Sequence, residues 1–384
     1  MSGKAIVGAR IFDGTFWHED SALVFADGKI EAIQPVAKLP EGIERIDAGG
    51  GMIVPGFIDL QVNGGGGVLL NEDPSLSGLR QICAAHAKFG TTALLPTLIT
   101  DTYEITSKTV EAGKQAKAEG IPGFLGLHLE GPHLSIARKG AHDPQLIRPM
   151  EEKDIDLMLS CKGKFDAMMI TIAPENVTVE QAKRLSEAGF MVSLGHTDTT
   201  YETAKDYAEA GVRTVTHLFN AMSPLGHRQP GVVGAALDIG SLYAGIIADG
   251  IHVHPAAMGV ALRAKNGPGK IFIVTDAMST IGTDMKSFTL NGREILRQDG
   301  RLTLADGTLA GADIDMISSV RFAHQALGLP VEEALRMASA YPAEAAWLDW
   351  RKGALKVGYD ADFVVLTDEL GMKSTWIGGV KVHH

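Results

Sequence analysis

Several residues able to hold a cation or move a proton stand at or just past the ends of short apolar runs. They are Asp59, Gln61 and Asn63, then His128 and Glu130, His196, His217, Asp249 with His252, and Asp276. Buried carboxylates and imidazoles need partners, and residues of these types brought to one place can share a cation. Glu130, His196 and His217 form the best ligand set. Two imidazoles plus one carboxylate, with a position left for water, match a catalytic zinc site, and the same donors suit Fe²⁺ or Mn²⁺. Asp276, in Ile273-Val274-Thr275-Asp276-Ala277, is the candidate proton shuttle. A bound divalent ion lowers the pKa of water from roughly 16 to about 7, and a neighbouring carboxylate can take that proton and return it to a leaving group. Against this stands the plainer reading, in which each His or Glu is a hydrogen-bonded core residue and Asp276 a helix cap.

The apolar runs recur in a rhythm. Strand-like segments at 57–62, 92–98, 124–130, 168–173, 191–196, 214–219, 243–249 and 271–276 alternate with helix-like segments, among them 75–89, 103–119, 179–188, 201–210 and 255–265. In the first of these helices Leu79, Ile82, Cys83 and His86 fall at i, i+3, i+4, i+7, one helical face. Residues 314–327 supply an eighth helix. Eight such units predict an α/β fold, a (β/α)₈ TIM-like barrel, whose chemistry sits at the C-terminal ends of the strands. A doubly wound open sheet is the alternative, but it rarely needs eight parallel strands with polar residues at so many ends.

The two chain ends read differently. Short alternating runs punctuated by Asp13-Gly14, Asp27-Gly28 and Gly49-Gly50-Gly51 suggest hairpins, and residues 363–366 and 376–382 repeat the style. These predict a small β-sandwich built from 1–53 and 354–384, around a barrel spanning 54–353. Asn291-Gly292, Asp299-Gly300 and Asp306-Gly307 predict a β-hairpin insertion near 284–311. The run Asn63-Gly64-Gly65-Gly66-Gly67 reads as a tight loop, since no helix with phosphate-loop spacing follows it. The loop 135–149, with Arg138, Lys139 and His142, is long enough for a lid or binding element.

Lys and Arg number 35 against 46 Asp and Glu, a formal net charge of −11. That argues against nucleic acid or an anionic membrane as partner, while leaving room for a small anionic substrate. No leader-like apolar segment and no stretch of ~18 apolar residues is present, so a cytoplasmic location is expected. Cys83 and Cys161 fit that expectation as buried free thiols in helix-like segments, and His383-His384 receive no role.

His128-Leu129-Glu130-Gly131-Pro132-His133, Leu194-Gly195-His196-Thr197-Asp198 and Thr216-His217-Leu218-Phe219-Asn220-Ala221-Met222 resemble the motifs of N-acetylglucosamine-6-phosphate deacetylases, members of the amidohydrolase superfamily. Val54-Pro55-Gly56-Phe57-Ile58-Asp59 and the stretch from Gly358 to Leu366 resemble that superfamily's opening and closing signatures, so the likeness runs over essentially the whole chain. It implies that Glu130, His196 and His217 hold the metal and that Asp276 is the catalytic acid/base. It also implies that Ala141, His142, Asn220, Ala221, Arg228, His252, Leu309, Ala310 and Gly311 contact the sugar phosphate or its acetamide. In relatives the counterpart of Arg228 reaches the neighbouring subunit's site, which implies a homodimer. Many amidohydrolases carry His-x-His where this chain has Gln61 and Asn63, and the segment 168–172 holds no lysine for a bridging carbamate. One divalent ion per subunit is therefore expected, Zn²⁺ first, with any second site weak.

The implied reaction is hydrolysis of N-acetylglucosamine 6-phosphate to glucosamine 6-phosphate and acetate, as in amino-sugar catabolism or cell-wall recycling. The rivals are another amidohydrolase acting on a different N-acyl or cyclic amide, and a non-catalytic scaffold that kept the barrel.

Overall fold

The structure, a computed structural model, describes residues 3–383; Met1, Ser2 and His384 lie outside it. Eight parallel strands form one sheet in sequence order: β1 (Phe57–Val62), β2 (Thr91–Ile99), β3 (His128–Glu130), β4 (Met169–Ile172), β5 (Met191–Leu194), β6 (Thr214–Val215), β7 (Tyr243–Ile247) and β8 (Ile271–Val274). Every residue of these strands is buried, as expected when a parallel sheet is covered on both faces. Just past β8 the sheet closes onto β1. The Asp276 amide donates to the Gln61 carbonyl at 3.0 Å, and the Asn63 and Gly64 amides donate to the Ala277 carbonyl at 2.9 and 3.0 Å.

The surrounding helices are α1 (Leu76–Ala87), α2 (Tyr103–Ala118), α3 (Glu152–Leu159), α4 (Val179–Glu187), α5 (Tyr201–Glu209), α6 (Gly231–Asp238), α7 (Pro255–Ala264) and α8 (Met316–Gln325). Side-chain caps fix several starts: the hydroxyls of Ser75, Thr102, Thr178 and Thr200 each accept from the amide three residues on, satisfying donors a helix start leaves open. The rhythm of the sequence did not single out α3 or α6. Cys161 also departs from expectation: it lies in the turn after α3, although it is buried and free like Cys83.

Six of the eight expected strands are shorter than their apolar runs, and two of them have a clear backbone cause. The segment 124–130 narrows to β3 because Gly126 breaks it with φ +157°, where a Cβ would lie 1.9 Å from the Ala167 carbonyl oxygen. The segment 214–219 narrows to β6 because His217 and Phe219 adopt left-handed backbone at φ +31° and +78°.

Strands from both ends of the chain form two further sheets. Lys4–Val7, Ser21–Ala26, Lys29–Pro35 and Glu44–Asp47 make a four-stranded sheet. Arg10–Phe12, Trp17–His18 and Met52–Pro55 join Phe363–Leu366, Met372–Ile377 and Val380–His383 in a six-stranded one. They share a core in which Phe25 faces Phe363 and Trp376, the last two stacked at 5.2 Å. A four-stranded antiparallel meander runs from Ser287 to Ala312. Its Phe288, Leu290, Ile295 and Leu302 pack with Leu69, Ile99 and Met278. No helix among the described residues is long and apolar enough to cross a membrane.

Candidate active site

Glu130 ends β3, His196 and His217 follow β5 and β6, and Asp276 follows β8, so four polar side chains come from the C-terminal ends of four strands. His196, His217 and Asp276 leave their strands in left-handed backbone, at φ +48°, +31° and +53°. Such conformations cost about 1–3 kcal/mol each outside glycine and persist only when the surroundings enforce them. Here the Leu218 amide donates to Gly245 O at 2.7 Å and the Thr197 amide to Ala221 O at 3.1 Å, pinning the chain beyond each histidine.

Three ligand atoms converge. His217 Nε2 lies 3.0 Å from Glu130 Oε1 and 3.0 Å from His196 Nε2, and His196 Nε2 lies 3.2 Å from Glu130 Oε1. Ligands bound tetrahedrally at about 2.0–2.2 Å stand about 3.3–3.6 Å apart, so this donor set need part by only a few tenths of an ångström to take one small divalent ion. Burial alone would raise the Glu130 carboxyl, but hydrogen bonds and proximity to both imidazoles outweigh it and hold the group well below the usual carboxylate range.

His142 also approaches this cluster, with a ligand atom within 4.8 Å of those of Glu130 and His196. Hydrogen bonds separate its part from theirs. His196 Nδ1 faces the Arg138 carbonyl oxygen at 2.9 Å and must donate to it, which leaves the Nε2 lone pair for a metal. His142 Nδ1 instead accepts from the Thr100 amide at 3.3 Å, and burial keeps the ring neutral. Its proton is thereby assigned to Nε2, making His142 a donor toward the cavity and a poor ligand. His217 is the better third ligand.

The carboxamides at the end of β1 face the carboxylates with their N–H groups. Gln61 Nε2 donates to Glu130 Oε1 and Oε2 at 3.2 and 3.3 Å and to Asp276 Oδ1 at 3.1 Å. Asn63 Nδ2 donates to Asp276 Oδ1 at 2.7 Å. Burial raises the Asp276 carboxyl, and the Glu130 charge adds to it, while His217 and Asn63 pull the other way.

These groups open into a cavity of about 250 Å³. Ala141 and His142, Asn220 and Ala221, His252, and Leu309, Ala310 and Gly311 all line it beside Glu130, His196, His217 and Asp276. His252 is held by Asp249, whose Oδ2 lies 2.6 Å from Nδ1. Gly311 sits at φ +70° against Asp276, and a Cβ there would meet Met278 at 2.5 Å. Arg228 stands apart, exposed on the loop before α6, and no lysine or arginine of the described chain lines the cavity. Sequence reasoning missed Thr100, which orients His142, and the apolar wall of Ile99, Ile247, Met278 and Leu290. It also missed Arg293, whose Nη2 donates to Ala141 O at 2.6 Å and ties the meander to the His142 loop. None of these carried a motif.

A parallel barrel presenting two imidazoles and two buried carboxylates at its strand ends defines the barrel hydrolases with a metal site. The amidohydrolase family model matches residues 52–382, and the NagA composite domain matches residues 5–53. The chain belongs to the amidohydrolase family. It is 43% identical over 329 residues to the N-acetylgalactosamine-6-phosphate deacetylase of Shewanella sp. (strain ANA-3), covering 86% of this chain and 82% of that one. It is 38% identical over 363 residues to the N-acetylglucosamine-6-phosphate deacetylase of Haemophilus influenzae, covering 94% of each. The crystal structure of N-acetylglucosamine-6-phosphate deacetylase from Pasteurella multocida superposes with a TM-score of 0.94 at 38% identity, covering 98% of both chains.

Proposed function

We propose that this chain hydrolyses the N-acetyl group of N-acetylglucosamine 6-phosphate, giving glucosamine 6-phosphate and acetate. The observation that carries the reading is the triangle of Glu130, His196 and His217 ligand atoms, 3.0–3.2 Å on a side, in one cavity with Asp276. A divalent ion held by these three, Zn²⁺ by the donor set, supplies Lewis-acid chemistry that polarises an acyl oxygen and acidifies water.

The chain's own groups do the rest. Asp276, steadied by Gln61 and Asn63, takes a proton from the attacking water. As the carbon–nitrogen bond breaks, it delivers that proton to the departing nitrogen, leaving acetate and a free amine. His142, with Nε2 as donor, hydrogen-bonds the acyl oxygen. Asn220, Ala221 and His252 receive the sugar phosphate, and Leu309, Ala310 and Gly311 wall the acetamide. A phosphate in this cavity meets no lysine or arginine of its own chain. That supports a homodimer in which Arg228 of each subunit enters the other's site, where its bidentate fork suits phosphate. Two unpaired buried cysteines favour a cytoplasmic location.

A second reading differs at one sugar carbon: the 43% identical relative is named for the galactosamine epimer. Acetate release from both N-acetylhexosamine 6-phosphates decides between them, with the unphosphorylated sugar and a cyclic imide as controls. No release from either phosphate, by protein with bound metal, overturns the proposal.

A further inference from the structure

Asp59 is fully buried on β1, and neither ion binding nor proton transfer uses it. Its carboxylate crosses the seam between the first and last strands. Oδ2 accepts from Thr275 Oγ1 at 2.5 Å, and Oδ1 accepts from the amides of Thr275 and Gln61 at 3.2 Å each. With its proton committed to Asp59, Thr275 Oγ1 turns a lone pair to the Ala277 amide at 3.3 Å. The bonds of Thr275 thus bracket Asp276, the residue that leaves β8 in left-handed backbone. The same carboxylate fixes the amide of Gln61, whose side chain donates to Asp276 Oδ1. Backbone bonding across this seam comes from the strand ends and the segments beyond them, through the amides of Asp276, Asn63 and Gly64 and then of Gly66 and Gly67.

We propose that Asp59, acting through Thr275, is a positioning residue that sets where the Asp276 carboxylate stands. Misplacing a reacting group by about 1 Å can cost about 10²-fold in rate, so a clamp on a strained strand end has a kinetic consequence beyond holding the barrel closed. The inference rests on the proposed amide hydrolysis for its assay.

Three variants test it. Asp59→Asn keeps the size but leaves one acceptor oxygen, Thr275→Val keeps the shape but removes the hydroxyl, and Thr275→Ser restores the hydroxyl. The readouts are kcat, KM, bound metal per subunit and the crystal structure of each variant. Asp59→Asn and Thr275→Val are expected to lower kcat by about 10–100-fold, leave KM and bound metal within about twofold of the parent, and shift the Asp276 carboxylate off Asn63 Nδ2. Thr275→Ser is expected to match the parent. The inference is overturned if kcat holds within about twofold in folded Thr275→Val, if activity falls only in proportion to lost metal, or if Asp276 does not move. Should Asp59→Asn fail to fold, the Thr275 pair decides. A parent that releases no acetate sinks the functional reading instead, and the crystal structures alone then decide the positioning role.

Discussion

Asn63 donates from Nδ2 to Asp276 Oδ1 at 2.7 Å and to the Asp276 carbonyl oxygen at 3.2 Å, holding side chain and backbone of that residue with one amide group. Many amidohydrolases place an imidazole at this position. Here a carboxamide turns its N–H group to the Asp276 carboxylate. Asn63→Ala is expected to retain bound metal and lose about 10–100-fold in kcat, since a reacting group is loosened but not removed. Asn63→Asp, which sets a like charge against Asp276, is expected to lose more. Steady-state kinetics alongside metal analysis checks both.

Asp276→Asn should keep fold and metal while lowering kcat by about 10²–10⁴-fold, the range of general acid–base help. The fold should hold because Asn retains one acceptor oxygen for Asn63 and Gln61. A fully active Asn variant removes Asp276 from the mechanism.

The hydrogen-bond assignment of the two imidazoles makes a sharper separation. His196→Ala and His217→Ala should lose bound metal and activity together, because each removes one of three converging ligand atoms. His142→Asn should keep the metal and lose kcat, because its Nδ1 is occupied by Thr100 and only a donor faces the cavity. Metal content per subunit after gel filtration reads the difference. Loss of metal from His142→Asn at the level of His196→Ala contradicts the assignment.

The barrel and the cluster of polar residues at its strand ends were legible in the sequence because parallel strands buried on both faces leave continuous apolar runs, and His or Glu at their ends stands out against them. What was not legible depends on contacts between distant segments. The carbonyl of Arg138 orients His196, and the amide of Thr100 orients His142; a backbone group carries no residue signature. The early end of β6 was hidden because the left-handed turn at His217 involves no glycine or proline. α6, Gly-Val-Val-Gly-Ala-Ala-Leu-Asp, is buried nearly all round and so lacks the one-sided periodicity that marks a helix.

The junction between barrel and sandwich should respond to acid. Asp360 is bound by Lys29 at 2.7 Å, by Arg351 at 2.6 Å and by Lys352 at 2.8 Å. Burial would raise its carboxyl, but these cations outweigh it and hold it far below the usual carboxylate range. A carboxyl depressed in the folded state contributes stability that is present above its unfolded value and lost as pH falls through that value toward the folded one. Asp360→Asn should therefore destabilise the protein by about 3 kcal/mol at neutral pH, as expected when one partner of a buried pair is removed. The gap between variant and parent should close as pH drops below about 4. Denaturant unfolding at several pH values measures it, and a gap that widens in acid contradicts the assignment.

Arg228 offers a test that separates a neighbour's contribution from a chain's own. It is exposed and outside the cavity of its own subunit. Arg228→Ala should raise KM for the phosphorylated sugar by about 10–100-fold, the 1.4–2.8 kcal/mol of one charge-assisted contact, and leave the unphosphorylated sugar unaffected. If the arginine serves the partner's site, co-refolding Arg228→Ala with Asp276→Asn creates dimers in which one site has both an intact Asp276 and a neighbour's intact Arg228. Activity at low substrate should then exceed that of either variant alone. If Arg228 served its own subunit, every site in the mixture would still lack one group or the other, and mixing would add nothing.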